Sequence, residues 1–198
     1  MKKNDAVSES VAAEEMAKAV EVLRSGGVIL YPTDTVWGLG CDATDKEAVA
    51  RIYEIKKRSD SKSLVLLASD LDMICRYVKV VPEIAVDLVN VSVNPMTIVY
   101  PDAVGLAENV VAEDGSVGIR IPMNDFCVKM VSKLRRPIVS TSANVSGGAT
   151  PKYFAEIPDI ILSSVDYVVD SRLESGATGK SSSIIKVGVD SEIEIIRK

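Results

Sequence analysis

The sequence has no histidine among its 198 residues. Without an imidazole there can be no Ser-His-Asp or Cys-His catalytic machinery, no histidine-ligated zinc, and no imidazole base that titrates near pH 7. Any catalysis must therefore rely on lysine, arginine, carboxylates, hydroxyls and backbone amides. Such groups suit reactions in which positioning and charge stabilisation dominate, such as transfer at a phosphate.

Cysteines, aromatic residues and net positive charge are also scarce. The three cysteines, Cys41, Cys75 and Cys127, form no C-x-x-C pair, so we expect reduced thiols rather than disulfides or a zinc site. Aromatic residues make up 5% of the chain, which predicts an aliphatic core. The net charge of −5 argues against a surface that grips nucleic acid as a whole, although it permits a local basic patch.

Long apolar runs are missing as well. No uncharged stretch approaches the ~20 residues that a membrane-spanning helix needs. Glu9, Glu14 and Glu15 lie where a secretory signal would require an apolar segment. We therefore expect a cytoplasmic protein with no membrane association.

The order of apolar segments predicts an α/β fold. Helical and strand-like patterns alternate, and several late strands follow one another without helices. We expect a single-domain, twisted mixed β-sheet flanked by helices and spanning residues 1–198. Strands are predicted at 28–31, 64–68, 96–100, 117–121, 138–142, 167–170, 183–187 and 193–196. Helices are predicted over 12–23, after a capping box at 44–47, after Asp70, over 82–90 and after Asn124.

Residues 56–62 form a cluster of four cations and one anion that leads into a predicted strand. Cations in a last helical turn are stabilised by the helix dipole, so a purely structural role is one interpretation. Anionic ligands, however, gather at strand ends in α/β sheets, which makes this cluster a candidate phosphate site.

Two further segments follow predicted strands and carry ligand-binding side chains. Residues 140–148 combine hydroxyls, an amide and two glycines, and either bind anion oxygens or form a polar turn with local hydrogen bonds. Residues 31–40 place two threonines, an aspartate and two glycines where a small ligand is often bound.

Residues 175–181 only imitate a nucleotide-binding P-loop. Glu174 occupies the position of the motif's first glycine, and the pattern that follows is that of a strand rather than a helix. We therefore reject a P-loop here.

Taken together, these segments resemble the YrdC/Sua5 family, the L-threonylcarbamoyladenylate synthases. The matching stretches are residues 26–40, 55–58, 117–122 and 140–147, with a weaker match at 182–185 followed by Arg197. They occur in family order over nearly the whole chain. The chain resembles the short, bacterial-type form, without the additional C-terminal domain of long Sua5 proteins.

The resemblance implies a nucleotidyltransferase with the YrdC-like fold. Its reaction joins L-threonine, bicarbonate or CO2, and ATP into threonylcarbamoyl-AMP and releases pyrophosphate. ATP is then a substrate, accompanied by Mg2+, and no metal ligands are assigned to the protein. The product feeds the t6A modification of tRNA at position 37, which partner proteins complete.

The resemblance also implies roles for individual residues. Lys56 and Arg58 would act at the reacting phosphates. The threonine site would consist of Thr33, Thr35, Arg120, Ser140 and Ser182. The nucleotide would be held by Arg58, Lys62, Ser116, Ser142, Asn144, Thr150 and Arg197.

This sequence departs from the family pattern at several positions. Ser59 and Ser63 replace the usual prolines, Trp37 replaces a tyrosine or phenylalanine, and the histidine common near Leu67 in long-form members is absent.

Two alternative functions remain open at this stage. One is a module of the same fold that binds double-stranded RNA or tRNA without catalysis, using Arg51 together with the cations of residues 56–62. The other is a carbamoyl-transfer enzyme with a different amine acceptor.

Overall fold

A computed structural model describes residues 2–57 and 64–198 of the chain. Within these residues, nine strands form one mixed sheet in the order β7-β1-β2-β6-β3-β5-β4-β8-β9. The strands are β1 (Ile29–Tyr31), β2 (Gly38–Gly40), β3 (Val65–Leu67), β4 (Met96–Tyr100), β5 (Val117–Arg120), β6 (Ile138–Ser142), β7 (Tyr167–Val168), β8 (Ser183–Val187) and β9 (Ile193–Arg197). The predicted mixed α/β sheet is confirmed. That residues 1–198 form one domain stays a prediction.

Six α-helices precede or connect these strands in the described part of the chain. They are α1 (Lys2–Arg24), α2 (Lys46–Lys56), α3 (Leu71–Tyr77), α4 (Glu83–Val91), α5 (Asp125–Leu134) and α6 (Asp159–Leu162). Short 3-10 turns lie at Glu108–Val110, Phe154–Glu156 and Ser171–Leu173. None of the helices in this part of the chain is long and apolar enough to cross a membrane.

Three helices begin at side-chain caps. The carboxylates of Asp45 and Asp70 and the amide oxygen of Asn124 each accept backbone N–H groups of the first helical turn. The expected capping box at Thr44 is wrong, because the Thr44 hydroxyl donates to Asp42 and Asp45 caps α2 instead. An aspartate one position later competes successfully for the same N–H groups.

The sheet buries one face and leaves polar groups on the other. Leu66 of β3 lies opposite Val139 of β6 and Ile119 of β5, and these three residues and Leu39 are fully buried in an aliphatic core. Because side chains alternate along a strand, the intervening residues point to the opposite face. That opposite face carries the candidate site.

The structure contains a strand, β2, that the sequence patterns did not predict. It consists of Gly38, Leu39 and Gly40, and glycine has low strand propensity. Tyr31 of β1 lies opposite Gly38 and places its ring against both glycines. A β-carbon at Gly40 would lie 2.7 Å from the Tyr31 ring and 2.8 Å from the Val139 carbonyl oxygen.

We predict that Gly40→Ala lowers the free energy of unfolding by about 2 kcal/mol or more, because the Val139 backbone cannot move aside. Gly38→Ala is the matched control. Its β-carbon would meet its nearest neighbour at 3.3 Å, and that neighbour is a side chain. Urea denaturation of both variants measures the difference, and equal losses would contradict this account of β2.

Candidate active site

Strand register gathers polar residues on the open face of the sheet. Gly38 of β2 lies opposite Ser142 of β6, and Val65 of β3 lies opposite both Ser140 and Gly118. Arg120, two residues beyond Gly118 on β5, therefore points to the same face.

Except for Gly118, these residues line a cleft of about 290 Å³. Six of the predicted site residues take part: Thr35, Arg120, Ser140, Ser142, Ser182 and Arg197. With Thr141 and Ser181, which also line it, the cleft combines six hydroxyls with two guanidinium groups. Its described lining contains no carboxylate side chain.

Arg120 is held in the cleft wall by a buried ion pair with Asp34. Its Nη1 donates to Asp34 Oδ1 at 2.8 Å and to Oδ2 at 2.9 Å, and both side chains are at least 93% buried. Its Nη2 donates to the Thr35 hydroxyl at 3.3 Å. One edge of the guanidinium is therefore committed to Asp34, and the Nη2 side lies against Thr35, which lines the cleft.

Thr33 shapes the turn beneath Thr35. Its hydroxyl donates to the Val36 carbonyl at 2.7 Å and accepts the N–H groups of Thr35 and Val36. The Thr35 hydroxyl lies 2.9 Å away and donates to it. Thr33 is not among the lining residues, so the structure gives it a supporting position behind the predicted threonine site.

Arg197 is the second cation of the cleft and differs from Arg120 in its environment. Its Nε donates to the Ser182 carbonyl at 2.9 Å, and it forms no ion pair with a described residue. Partial burial lowers its pKa. Its Nη groups are thus available as a fork for an anion at the cleft mouth.

A larger cavity of about 700 Å³ adjoins the cleft on the same sheet face. Val65 and Ile184 line both spaces, and a 2.7 Å hydrogen bond between the Thr97 and Ser182 hydroxyls lies where they meet. The floor of the larger cavity is apolar, with Val99, Ile184 and Ile196, and Gly118 leaves room above the sheet.

Ser116 lines the rim of this larger cavity. Its hydroxyl donates to Asp114 at 2.6 Å, and Asp114 also accepts from Lys186 at 2.6 Å. The bonds from Lys186 and Ser116 hold the pKa of the Asp114 carboxyl well below its usual range. Ser116 therefore offers its oxygen to a ligand as an acceptor.

A family model for Sua5, YciO and YrdC proteins, described as "Telomere recombination", matches residues 21–198. The chain belongs to the Sua5/YciO/YrdC family. The resemblance inferred from its motifs is confirmed.

Individual relatives agree with this assignment. A threonylcarbamoyl-AMP synthase of Xanthomonas euvesicatoria is 32% identical over 173 residues, covering 86% of this chain and 91% of that protein. The structure of E. coli YciO superposes with a TM-score of 0.80 at 27% identity, covering 92% of this chain and 88% of that one. The structure of P. abyssi Sua5 complexed with L-threonine superposes with a TM-score of 0.80 at 26% identity. The match covers 87% of this chain and 50% of the Sua5 chain.

The ammonium group of Lys56, a predicted catalytic residue, forms hydrogen bonds with backbone carbonyls of this chain. The residue is only 2% exposed, and its Nζ donates to the carbonyl oxygens of Ser142 at 2.5 Å and Asn144 at 2.7 Å. Its own carbonyl accepts from the Ser146 N–H. These contacts give Lys56 a role in fixing the loop after β6.

Asn144 has a similar internal role. Its Nδ2 donates to the carbonyls of Val145 and Gly148, and its Oδ1 is buried without a partner among the described residues. Thr150 is exposed. Neither residue is among those that line the two cavities, so their predicted contacts with the nucleotide stay predictions.

Arg58 and Lys62, with Ser59 and Ser63, lie outside the described residues.

The rejection of a P-loop at residues 175–181 is confirmed, because β8 rather than a helix follows. Sequence reasoning placed Asp34 in a candidate ligand-binding segment but assigned it no role in the site. The only available signal was its position between two threonines directly after a buried strand.

We predict that Lys56→Met lowers the free energy of unfolding by about 2–4 kcal/mol in the absence of any ligand, because two buried carbonyls lose a charged donor. Amide hydrogen exchange at residues 143–146 should quicken as well. Lys57→Met is the matched control, since Lys57 is the exposed neighbour. A Lys56→Met protein as stable as the control would contradict the loop-fixing role.

Proposed function

We propose that this chain synthesises threonylcarbamoyl-AMP and pyrophosphate from L-threonine, bicarbonate or CO2, and ATP. The observation that carries the proposal is the junction of two spaces on one sheet face: a small polar cleft with two arginines, and a larger cavity with an apolar floor. An amino acid suits the first space and a nucleoside the second. The curated relatives of the same family bear the name of this enzyme.

Threonine is proposed to bind in the small cleft. Its carboxylate would meet the Nη2 edge of Arg120, and its hydroxyl and amine would lie among Thr35, Ser140 and Ser182. These contacts are supported by the convergence of the four side chains on the cleft. The L-threonine complex of P. abyssi Sua5 supports the choice of amino acid.

ATP is proposed to span the junction. The adenosine would occupy the larger cavity beside Ser116, and the phosphates would reach Ser142 and Arg197. Arg197 supports this assignment because its Nη groups are not neutralised by a described carboxylate. Arg58, Lys62, Asn144 and Thr150 are proposed to complete the nucleotide site.

The proposed reaction has two steps. The threonine amine attacks CO2 and loses a proton, which forms a carbamate. A carbamate oxygen then attacks the α-phosphorus, the bond from that phosphorus to the β-phosphate bridge breaks, and pyrophosphate leaves. Arginine and hydroxyl groups stabilise the phosphate charge, so no histidine base is required.

Mg2+ is proposed to enter with the nucleotide as part of the substrate. Among the described residues no group of three acidic or cysteine side chains is arranged to hold a metal ion. A triphosphate can carry Mg2+ with few protein ligands, as is common in phosphoryl transfer sites.

The chain is proposed to act in the cytoplasm, where partner proteins would transfer the product to tRNA. Weak RNA binding by the enzyme is a further proposal, but the non-catalytic RNA module is disfavoured. Arg51, one of its proposed cations, is paired through two bonds with Asp166, and Lys56 is buried against carbonyls.

A coupled assay for pyrophosphate release tests the reaction directly. We expect release to require ATP and bicarbonate together and to be fastest with L-threonine across a panel of amino acids. A faster rate with another amine would favour the alternative acceptor. ATP or threonine alone, at about 100 times its Kd, should also stabilise the fold by ~2.7 kcal/mol, and the two together should stabilise it further. No release and no stabilisation, alongside tight and salt-sensitive duplex RNA binding, would overturn the synthase proposal.

We predict that Arg120→Lys raises the KM for threonine by about tenfold or more while the KM for ATP changes little. A lysine ammonium cannot replace a guanidinium that bonds Asp34 on one side and a carboxylate on the other. Steady-state kinetics with each substrate varied in turn gives both constants. An equal rise in the KM values for threonine and ATP would show that Arg120 does not bind threonine alone.

A further inference from the structure

We propose that Asp34 is a positioning residue for threonine binding, and that it acts by fixing the guanidinium of Arg120. This inference rests on the proposed function. Asp34 is not among the residues that line the cleft; it lines a separate cavity of about 340 Å³ instead. Any influence of the Asp34 side chain on threonine is therefore indirect, and Arg120 is the cleft residue that its carboxylate contacts.

The geometry leaves Arg120 a single orientation. Both Asp34 carboxylate oxygens accept from Nη1, at 2.8 and 2.9 Å, while Nη2 reaches Thr35. A planar guanidinium held at one nitrogen by two oxygens and at the next by a hydroxyl cannot rotate without breaking these bonds. The Nη2 edge is thereby aimed into the cleft before substrate arrives.

Asp34 is itself held by two further segments of the chain. Its Oδ2 accepts the Met123 N–H at 3.0 Å, which ties it to the segment between β5 and α5. Its backbone carbonyl accepts the Thr178 N–H at 2.9 Å, and the Thr35 carbonyl accepts the Gly179 N–H at 2.9 Å. The segment that leads into Ser182 is thus joined to the same residue that orients Arg120.

The ion pair fixes the orientation of the Arg120 guanidinium without adding net charge to the cleft. Asp34 neutralises Arg120, so the pair adds direction but no net charge to the cleft wall. A carboxylate bound at Nη2 gains from a donor that is already in place, since misplacement of a binding group by about 1 Å can cost on the order of 100-fold. Asp34→Asn removes the charge and one of the two acceptors while preserving the size of the side chain.

The test compares Asp34→Asn, Asp34→Glu and Asp42→Asn in steady-state kinetics and thermal unfolding. Asp42 is the matched control because it is a buried carboxylate paired with Arg136 and is not among the residues that line the cleft. We expect Asp34→Asn to raise the threonine KM about tenfold or more, with the ATP KM within about twofold. Asp34→Glu should recover part of the loss, because it restores the charge. Asp42→Asn should lower the melting temperature without moving the threonine KM.

Several results would overturn the inference. One is an unchanged threonine KM in a folded Asp34→Asn protein. Another is an equal rise in both KM values, or the same kinetic change in Asp42→Asn, which would indicate a general structural effect. Should Asp34→Asn fail to fold, the Asp34→Glu kinetics decide, and a threonine KM equal to wild type then counts against a requirement for this geometry. An inactive wild-type enzyme that still binds L-threonine by calorimetry would overturn the proposed reaction alone, and the same variants would then be judged by their threonine affinity.

Discussion

The ion pair between Asp34 and Arg120 is the constraint on which the site depends. Removing two charges from water costs several kcal/mol per ion, so a buried pair contributes little net stability compared with apolar packing. Its value lies in geometry. The pair joins the turn after β1 to the end of β5, and the Met123 N–H adds the segment that follows. Two stretches distant in sequence, residues 33–35 and 120–123, thereby meet at this ion pair.

Alternation along the strands explains how one sheet serves both the core and the site. Leu66, Ile119 and Val139 face the core, while their neighbours Val65, Arg120 and Ser140 face the cleft. A shift of register by one residue would exchange the two sets. The register is secured on the core side by apolar burial, so the polar residues of the site are positioned by the packing of residues that never contact a ligand.

Much of this could be predicted from the sequence, because apolar strands and capping residues act locally. The strands at β4, β6 and β8 matched their observed bounds for that reason. Strand β2 could not be predicted, since its glycines make sense only once the Tyr31 ring lies against them. The contacts of Lys56 were hidden in the same way. A lysine within a basic cluster indicates an anion site, and only the fold shows that two backbone carbonyls surround its ammonium group.

The cleft alone carries too little positive charge to balance the proposed substrates. Asp34 cancels Arg120, so among the described cleft residues Arg197 contributes the one uncompensated positive charge. The proposed substrates bring a carboxylate and a triphosphate into adjoining spaces, and their mutual repulsion in a partly dry cleft is large. One arginine is too little to balance them. Residues 57–62 carry three cations against one anion, counted along the sequence. Neutral carbonyls do not cancel the charge of Lys56, so in the proposed reaction the balance comes from Lys56, Arg58 and Lys62 together with any Mg2+ that arrives on the nucleotide.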